Sequence, residues 1–209
     1  MTIKSFENQY GFSCAMHVLL DDKENILVDP GYCDDRLLTF LAEHGGIQAI
    51  LITHGHFDHI QGLDALHTAY PQASIHMHPA DIPMLHSAAL NCSGMIGAGF
   101  VTQTQANPLE KGSHTIAGHR VEVLHTPGHS PGSCMFHLPD EKALFTGDTI
   151  IGESVGRTDL PGSAPEDLFA SLRQFMQNIC PADTQVCFGH GGSMSYAQLK
   201  TYNHYLRGL

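Results

Sequence analysis

The chain has 209 residues, 42% of them apolar and 15% charged, a balance that excludes a disordered chain and suits a single domain with a substantial core. Its formal net charge of −11, without any run of Lys or Arg, excludes nucleic-acid binding through a basic face and adhesion to anionic membranes. Histidine is the oddity of the composition, with 16 residues.

Residues 1–31 read as a β-meander. Gly11 to Leu20 is a strand, Asp21 to Asn25 a turn cluster, and Ile26-Leu27-Val28 a strand ended by Asp29-Pro30-Gly31. The apolar stretch Cys14 to Leu20 contains His17 and runs into Asp21-Asp22, so it is too short and interrupted for a signal peptide or a membrane span. The six cysteines are scattered without a Cys-x-x-Cys spacing, which points to reduced thiols and a cytoplasmic location.

Asp34 can cap a helix carrying Leu37, Leu38 and Leu41, stopped at Gly45-Gly46. Gln48 to Ile52 is a buried strand that leads into Thr53-His54-Gly55-His56-Phe57-Asp58-His59. Gly55 is expected to break the strand by taking backbone angles closed to other residues. Beyond Asp58, the residues Ile60, Leu63, Ala65 and Leu66 suggest the apolar face of a helix. Three imidazoles and a carboxylate are thereby gathered where a strand gives way to a helix. Packed so tightly, they would repel or stay unsatisfied without a cation, and both groups are ligands for zinc and its neighbours.

Ser74 to His78 is a strand with His76 and His78 on one face, but nothing nearby completes a ligand set. A short helix over Ala80 to Leu90 gives way to a Gly-rich run from Asn91 to Phe100 without helical or strand period. The whole segment Pro79 to Pro108 reads as a lid or binding loop, in which Met84, Met95 and Phe100 either line an adaptable pocket or fill the core beneath.

In the second half, Thr115-Ile116, Val121 to Leu124, Cys134 to Phe136 and Ala143 to Phe145 read as successive strands. Pro165 opens a helix striped with Leu168, Leu172, Phe175, Met176 and Ile179. Gln185 to Phe188 is a strand and Tyr196 to Leu206 a closing helix. Two mixed sheets face to face with helices outside, a four-layer α/β sandwich in one domain over residues 1–209, are expected.

Three later strand ends each offer one more ligand beside glycine: Thr126-Pro127-Gly128-His129-Ser130, Thr146-Gly147-Asp148-Thr149 and Phe188-Gly189-His190-Gly191. The candidates are then His54, His56, Asp58, His59, His129, Asp148 and His190. Seven are too many for one tetrahedral ion. Two divalent ions are expected, zinc first with iron or manganese as alternatives, one on His54, His56 and His129 and the other on Asp58, His59 and His190. Asp148 can bridge them. A water shared by two cations ionises near neutral pH, giving a bridging hydroxide able to attack an electrophile.

This His-x-His-x-Asp-His run with its later His, Asp and His resembles the metallo-β-lactamase superfamily along essentially the whole chain. The resemblance implies an αββα sandwich with the site at one edge of the sheets. Thr126 to Gly132, Phe145 to Thr149 and Gly156-Arg157-Thr158-Asp159 look like the glyoxalase II (hydroxyacylglutathione hydrolase) branch and its short bacterial relatives. Flavodiiron proteins carry Glu where this chain has His56. Glyoxalase II proteins have a C-terminal helical domain that contacts glutathione; here nineteen residues follow His190, and no such domain is expected. Gly191-Gly192 also stand where that branch has Glu-Tyr, and Val155 replaces a cysteine before Gly-Arg.

The reading is a dinuclear hydrolase of a small-molecule thioester, of hydroxyacylglutathione type. Asp58 holds the second ion and orients the hydroxide, and Arg157 either meets a substrate carboxylate or pairs with Asp159. A thiol of pKa about 8.5 leaves without a general acid, whereas an amide nitrogen needs protonation. The alternatives are a mononuclear iron persulfide dioxygenase, whose branch carries a similar Gly-Arg-Thr-Asp, and a hydrolase of other small esters or lactones.

Overall fold

A computed structural model describes residues 1–7, 14–22, 24–97, 99–177 and 180–209. The first sheet takes its strands in chain order: β1 (Thr2–Glu7), β2 (Ala15–Leu20), β3 (Ile26–Val28), β4 (Ala49–Ile52), β5 (Ser74–Met77) and β6 (Asn107–Pro108). Antiparallel pairing joins β1 to β2 and β2 to β3, and pairing from β3 to β6 is parallel. Parallel neighbours need crossovers. Helix α1 (Asp35–Glu43) supplies the first, α2 (Phe57–Ile60) and α3 (Leu63–Ala69) the second, and α4 (Ile82–Leu85) lies in the third.

The second sheet begins with β7 (Gly112–Ile116), β8 (His119–His125), β9 (Cys134–Leu138) and β10 (Ala143–Phe145). A two-stranded ribbon, β11 (Ile150–Ile151) and β12 (Ser154–Val155), and helix α5 (Pro165–Met176) precede β13 (Gln185–Cys187) and β14 (Ser193–Ser195). The order is β14-β13-β10-β9-β8-β7, parallel only between β10 and β13. Helix α6 (Tyr196–Tyr202) starts on a capping box in which Ser195 and Gln198 satisfy each other's backbone N–H.

Strand alternation builds three apolar layers between four layers of structure. Met16 and Val18 of β2, Leu27 of β3, and Ile50 and Ile52 of β4 face α1 to α3 with Leu37, Leu41 and Leu66. Their neighbours Leu19, Ile26, Val28, Ala49 and Leu51 face the other sheet, meeting Val121, Val123, Phe136, Phe145 and Cys187. Met135, Leu144 and Val186 turn outward under Leu168, Leu172, Phe175 and Leu199 of α5 and α6. Strands buried on both faces have no room for polar residues, which explains the unbroken apolar runs Ala49–Ile52 and Ala143–Phe145. The molecule is the expected αββα sandwich. Among the described residues no helix is long and apolar enough to cross a membrane.

Several local expectations need correction. Strand β1 was not anticipated as a separate element, because its exposed TIKSFE edge lacks an apolar alternation. Of the expected strand from Gly11, residues 11–13 lie outside the described residues, as do Lys23 of the expected turn, Ala98 of the expected irregular run and Ile179 of the expected α5 stripe. Ala65 is exposed, while Ile60, Leu63 and Leu66 are fully buried. The helix expected over Ala80 to Leu90 shrinks to α4, and the run thought irregular holds a 3-10 turn, Ser93–Ile96. The closing helix stops at Tyr202, where Asn203 turns its amide to the carbonyls of Gly152 and Ser154 at 2.9 and 2.8 Å.

Candidate metal centre

All seven expected ligands converge beyond the C-terminal ends of β4, β8, β10 and β13. His54, His56 and His59 are almost fully buried, as are His129 and Asp148, while Asp58 and His190 are partly exposed. Gly55 owes its place to space rather than to its backbone angles, since it does not take a positive φ. A Cβ there would stand 2.5 Å from that of Met84 and 3.2 Å from the Asp81 carbonyl.

Two triads form. In the first, His129 Nε2 lies 2.9 Å from His56 Nδ1 and 3.2 Å from His54 Nε2. In the second, Asp58, His59 and His190 bring their ligand atoms together, with His190 Nε2 3.3 Å from Asp58 Oδ2. Asp148 stands between them. Its Oδ2 is 3.6 Å from His129 Nε2 and 3.4 Å from His190 Nε2, and its Oδ1 is 3.4 Å from His59 Nε2.

The donor chemistry fits divalent cations. The Thr53 hydroxyl donates to Asp29 Oδ2 at 2.7 Å, so its oxygen must accept from His54 Nδ1 at 3.1 Å. His129 Nδ1 must donate to the Arg157 carbonyl at 2.8 Å. Both imidazoles therefore turn bare Nε2 lone pairs toward each other, which the proton of His56 cannot satisfy together. His56 Nε2 is also buried without a hydrogen-bond partner, and His59 Nε2 and Asp148 Oδ1 have only each other, at 3.4 Å. Orphaned buried groups of this kind are costly, and a cation among them removes the cost. Gly189 keeps the space open: a Cβ there would run into Asp148 Oδ1 and come within 2.8 Å of His59.

Two buried carboxylates that the sequence reading passed over hold these ligands. Asp29, read as a strand terminator, accepts from the Thr53 backbone at 2.7 Å, from its hydroxyl, and from His59 Nδ1 at 3.0 Å. It thereby fixes His54 through Thr53 and His59 directly, leaving both Nε2 atoms for the centre. Asp81 accepts from the backbones of Gly55 and Gly132 at 3.0 and 2.6 Å and from the Ser130 hydroxyl at 2.6 Å. The loop carrying His54 and His56 is so tied to the loop carrying His129. His17 of β2 does the same for His190, donating from Nε2 to the Phe188 carbonyl at 2.8 Å.

The other sequence candidates divide. Of the two roles weighed for Arg157, the structure shows the pair with Asp159, two-pronged at 2.6 and 2.7 Å, and Arg157 also lines the cavity over the ligands. Met95 lines that cavity, but Met84 is buried and Phe100 packs against the first core layer. His78 stacks flat on His125, 3.9 Å between ring centres, and no third ligand joins it or His76 among the described residues. One further acidic and histidine cluster was missed, Asp21, His119 and Glu141. Both His119 nitrogens are taken there, by Glu141 and by the Glu24 carbonyl, each at 2.8 Å.

The protonation of the metal-free centre follows from its charges. Burial, then the neighbouring imidazoles, hold His54 well below 6.5 and His56 at about 3. Burial opposes a charge on His59, but the carboxylates of Asp148, Asp29 and Asp58 raise it well above 6.5. Hydrogen bonds to Asp148 and Asp58 lift His190 to about 9. Below pH 6.5 the unfolded chain binds protons that buried His54 and His56 refuse, so stability rises with pH. Above 6.5 the folded state keeps protons on His59 and His190 that the unfolded chain has lost, so stability falls as pH climbs through about 9. The metal-free protein should show its highest melting temperature near pH 6.5, with the upper limb of the fall abolished by metal, which replaces those protons. A melting series from pH 5 to pH 9.5, with and without added zinc, checks this; a stripped protein that gains stability from pH 6.5 to 9 would contradict it.

The family description that matches residues 10–190 is the metallo-beta-lactamase superfamily. The chain belongs to that superfamily. It is 33% identical over 196 residues to the probable metallo-hydrolase YqgX of Bacillus subtilis (strain 168), covering 92% of both chains. Among solved structures, the BLEG-1 B3 metallo-beta-lactamase superposes with a TM-score of 0.90 at 34% identity, covering 98% of this chain and 99% of its own. The structure of TTHA1623 in a di-iron-bound form gives a TM-score of 0.83 at 33% identity, covering 96% of this chain and 100% of its own.

Proposed function

We propose that this protein is a dinuclear metal-dependent hydrolase of thioesters. Superfamily membership and the name of its Bacillus relative support a metal-dependent hydrolase in general. His54, His56 and His129 would hold one ion and Asp58, His59 and His190 the other, with Asp148 between. When bound, such ions supply Lewis acidity toward a carbonyl oxygen and bring a water's pKa from roughly 15.7 to near neutrality.

The observation that carries the choice of thioester is the shortage of acids around the cavity. Outside the seven ligands, the only titrating side chains among the described residues that line it are Cys92 and Arg157. Burial pushes the Cys92 thiol up, and Arg157 is committed to Asp159. Neither donates a proton readily to a departing nitrogen. A thiolate needs none, because its pKa of about 8.5 lets it leave as the anion. Asp58, kept ionised against its burial by His59 and His190, stands at the cavity wall to orient the attacking water.

The test is hydrolysis of lactoylglutathione and of the same acyl group on a short neutral thiol, under identical metal loading. With only ten Lys and Arg in the chain, little binding energy is available for a charged tripeptide. Trimming the glutathionyl part should therefore cost less than about tenfold in kcat/KM, or ~1.4 kcal/mol. A loss of a hundredfold would reveal a glutathione site; no turnover of any thioester by loaded protein would defeat the proposal. The likeness to BLEG-1 favours a second reading, β-lactam hydrolysis, which a chromogenic cephalosporin tests in the same preparation. Iron in place of zinc is favoured by the likeness to di-iron TTHA1623, and metal analysis with oxygen uptake separates a hydrolase from a dioxygenase.

A further inference from the structure

We infer that the cavity over the ligands selects an uncharged, apolar acyl group and rejects an anionic one, an inference that rests on the thioesterase reading. The cavity has a volume of about 460 Å³, within the size range of small-molecule sites. Besides the ligands, it is lined by Phe57 of α2, by Cys92, Met95 and Ile96 of the loop after α4, and by Ile151 of β11 and Leu160. None of these six carries a charge.

The apolar rim is a held feature of the fold. The Ser93 hydroxyl accepts from the Phe100 N–H at 2.9 Å and donates to its carbonyl at 3.1 Å, while Asn91 donates to that carbonyl at 2.9 Å. The Phe57 N–H donates to the Asn91 carbonyl at 2.9 Å, fastening this loop to the start of α2. The loop tip presents Met95 and Ile96, 66% and 44% exposed, at the cavity. Large apolar side chains fixed in water beside a cavity gain free energy when a ligand covers them. Met is also a side chain that adapts to ligands of varied shape.

Among the described residues that line these walls, Arg157 is the one group suited to an anionic acyl chain, and Asp159 already answers it with both oxygens. The pair is exposed and individually weak. Yet Asp159 is tethered two residues away, so a free carboxylate must displace a partner at high effective concentration. Without Arg157, nothing on the walls compensates the carboxylate.

The experiment compares acetyl, butyryl, hexanoyl and succinyl thioesters of N-acetylcysteamine with the metal-loaded protein. Butyryl and succinyl groups differ chiefly in a terminal methyl against a carboxylate. We expect kcat/KM to rise about two- to fourfold per added methylene, the upper figure being full transfer of a CH₂ from water at ~0.8 kcal/mol. Succinyl should fall at least about tenfold below butyryl, as one charge left without its partner requires. Asp159→Asn should raise the succinyl-to-butyryl ratio, and Met95→Ser with Ile96→Ser should halve the methylene slope. A flat series, or succinyl exceeding butyryl, with thioesters still cleaved, would overturn this inference and leave the thioesterase reading standing.

A binding readout covers the case in which no thioester is cleaved. The methyl resonance of Met95 is followed while butyramide, hexanamide and succinamate are titrated into the protein. Tighter binding of hexanamide than butyramide, with succinamate weakest, supports the apolar site independently of turnover. Equal affinities, or an unmoved Met95 signal, overturn it.

Discussion

Asp58→Asn is expected to leave the fold intact and to lower thioester hydrolysis at least about a hundredfold, beyond the effect usual for a residue that merely supports a ligand. The substitution keeps the shape but removes the charge that faces His190 at 3.3 Å and His59 at 3.9 Å. Two imidazoles and the shared Asp148 then remain for the second ion, whose occupancy should drop while the first triad is untouched. The same change separates two chemistries. In a mononuclear iron centre built on two histidines and Asp148, Asp58 would touch no ion and its loss would be mild. Near-normal hydrolysis with both ions retained would remove Asp58 from the ligand set.

Asp29 should be the most costly single carboxylate to delete for the fold itself. Asp29→Ala abandons three buried donors, the Thr53 N–H, its hydroxyl and His59 Nδ1, and leaves His59 without its nearest countercharge. Breaking a buried charged network in this way costs about 3–5 kcal/mol, which for a chain of this size is roughly a 10 °C fall in melting temperature. Asp29→Asn is the sharper probe of the centre. Its amide can accept from only one side, so either a Thr53 donor or His59 Nδ1–H meets an NH₂ group. A His59 that moves its proton to Nε2 is lost as a ligand, and metal affinity should fall about 10- to 100-fold. Calorimetric metal titration and a melting curve for both variants check the pair. Full metal affinity in Asp29→Asn would show that His59 is oriented by something else.

The contrast between Asp58 and Asp29 shows what a sequence reader can and cannot see. Ligands stand out because imidazoles and carboxylates beside glycine at the end of an apolar strand have few other reasons to be there. Asp29 lies in Asp-Pro-Gly, where a turn residue explains it equally well, and its partners Thr53 and His59 are 24 and 30 residues away. Asp81 was hidden similarly, since its role is to join two loops 26 and 51 residues distant. The layers of the fold were legible because both sheets are buried on two faces, which writes unbroken apolar strands. Exposed β1 and the short β6, β11, β12 and β14 write no such pattern. Gly55 was placed correctly for the wrong reason: the crowding by Met84 is a tertiary contact that no local rule contains.

The central claim is that seven side chains from four strand ends hold two divalent ions. Its most direct test is elemental analysis of protein purified without added metal, then stripped and reloaded, with ions counted per chain beside thioester turnover. About two ions per chain at full activity are expected, falling toward one in Asp58→Asn. A fully active protein carrying a single ion, or activity that survives complete stripping, would contradict it.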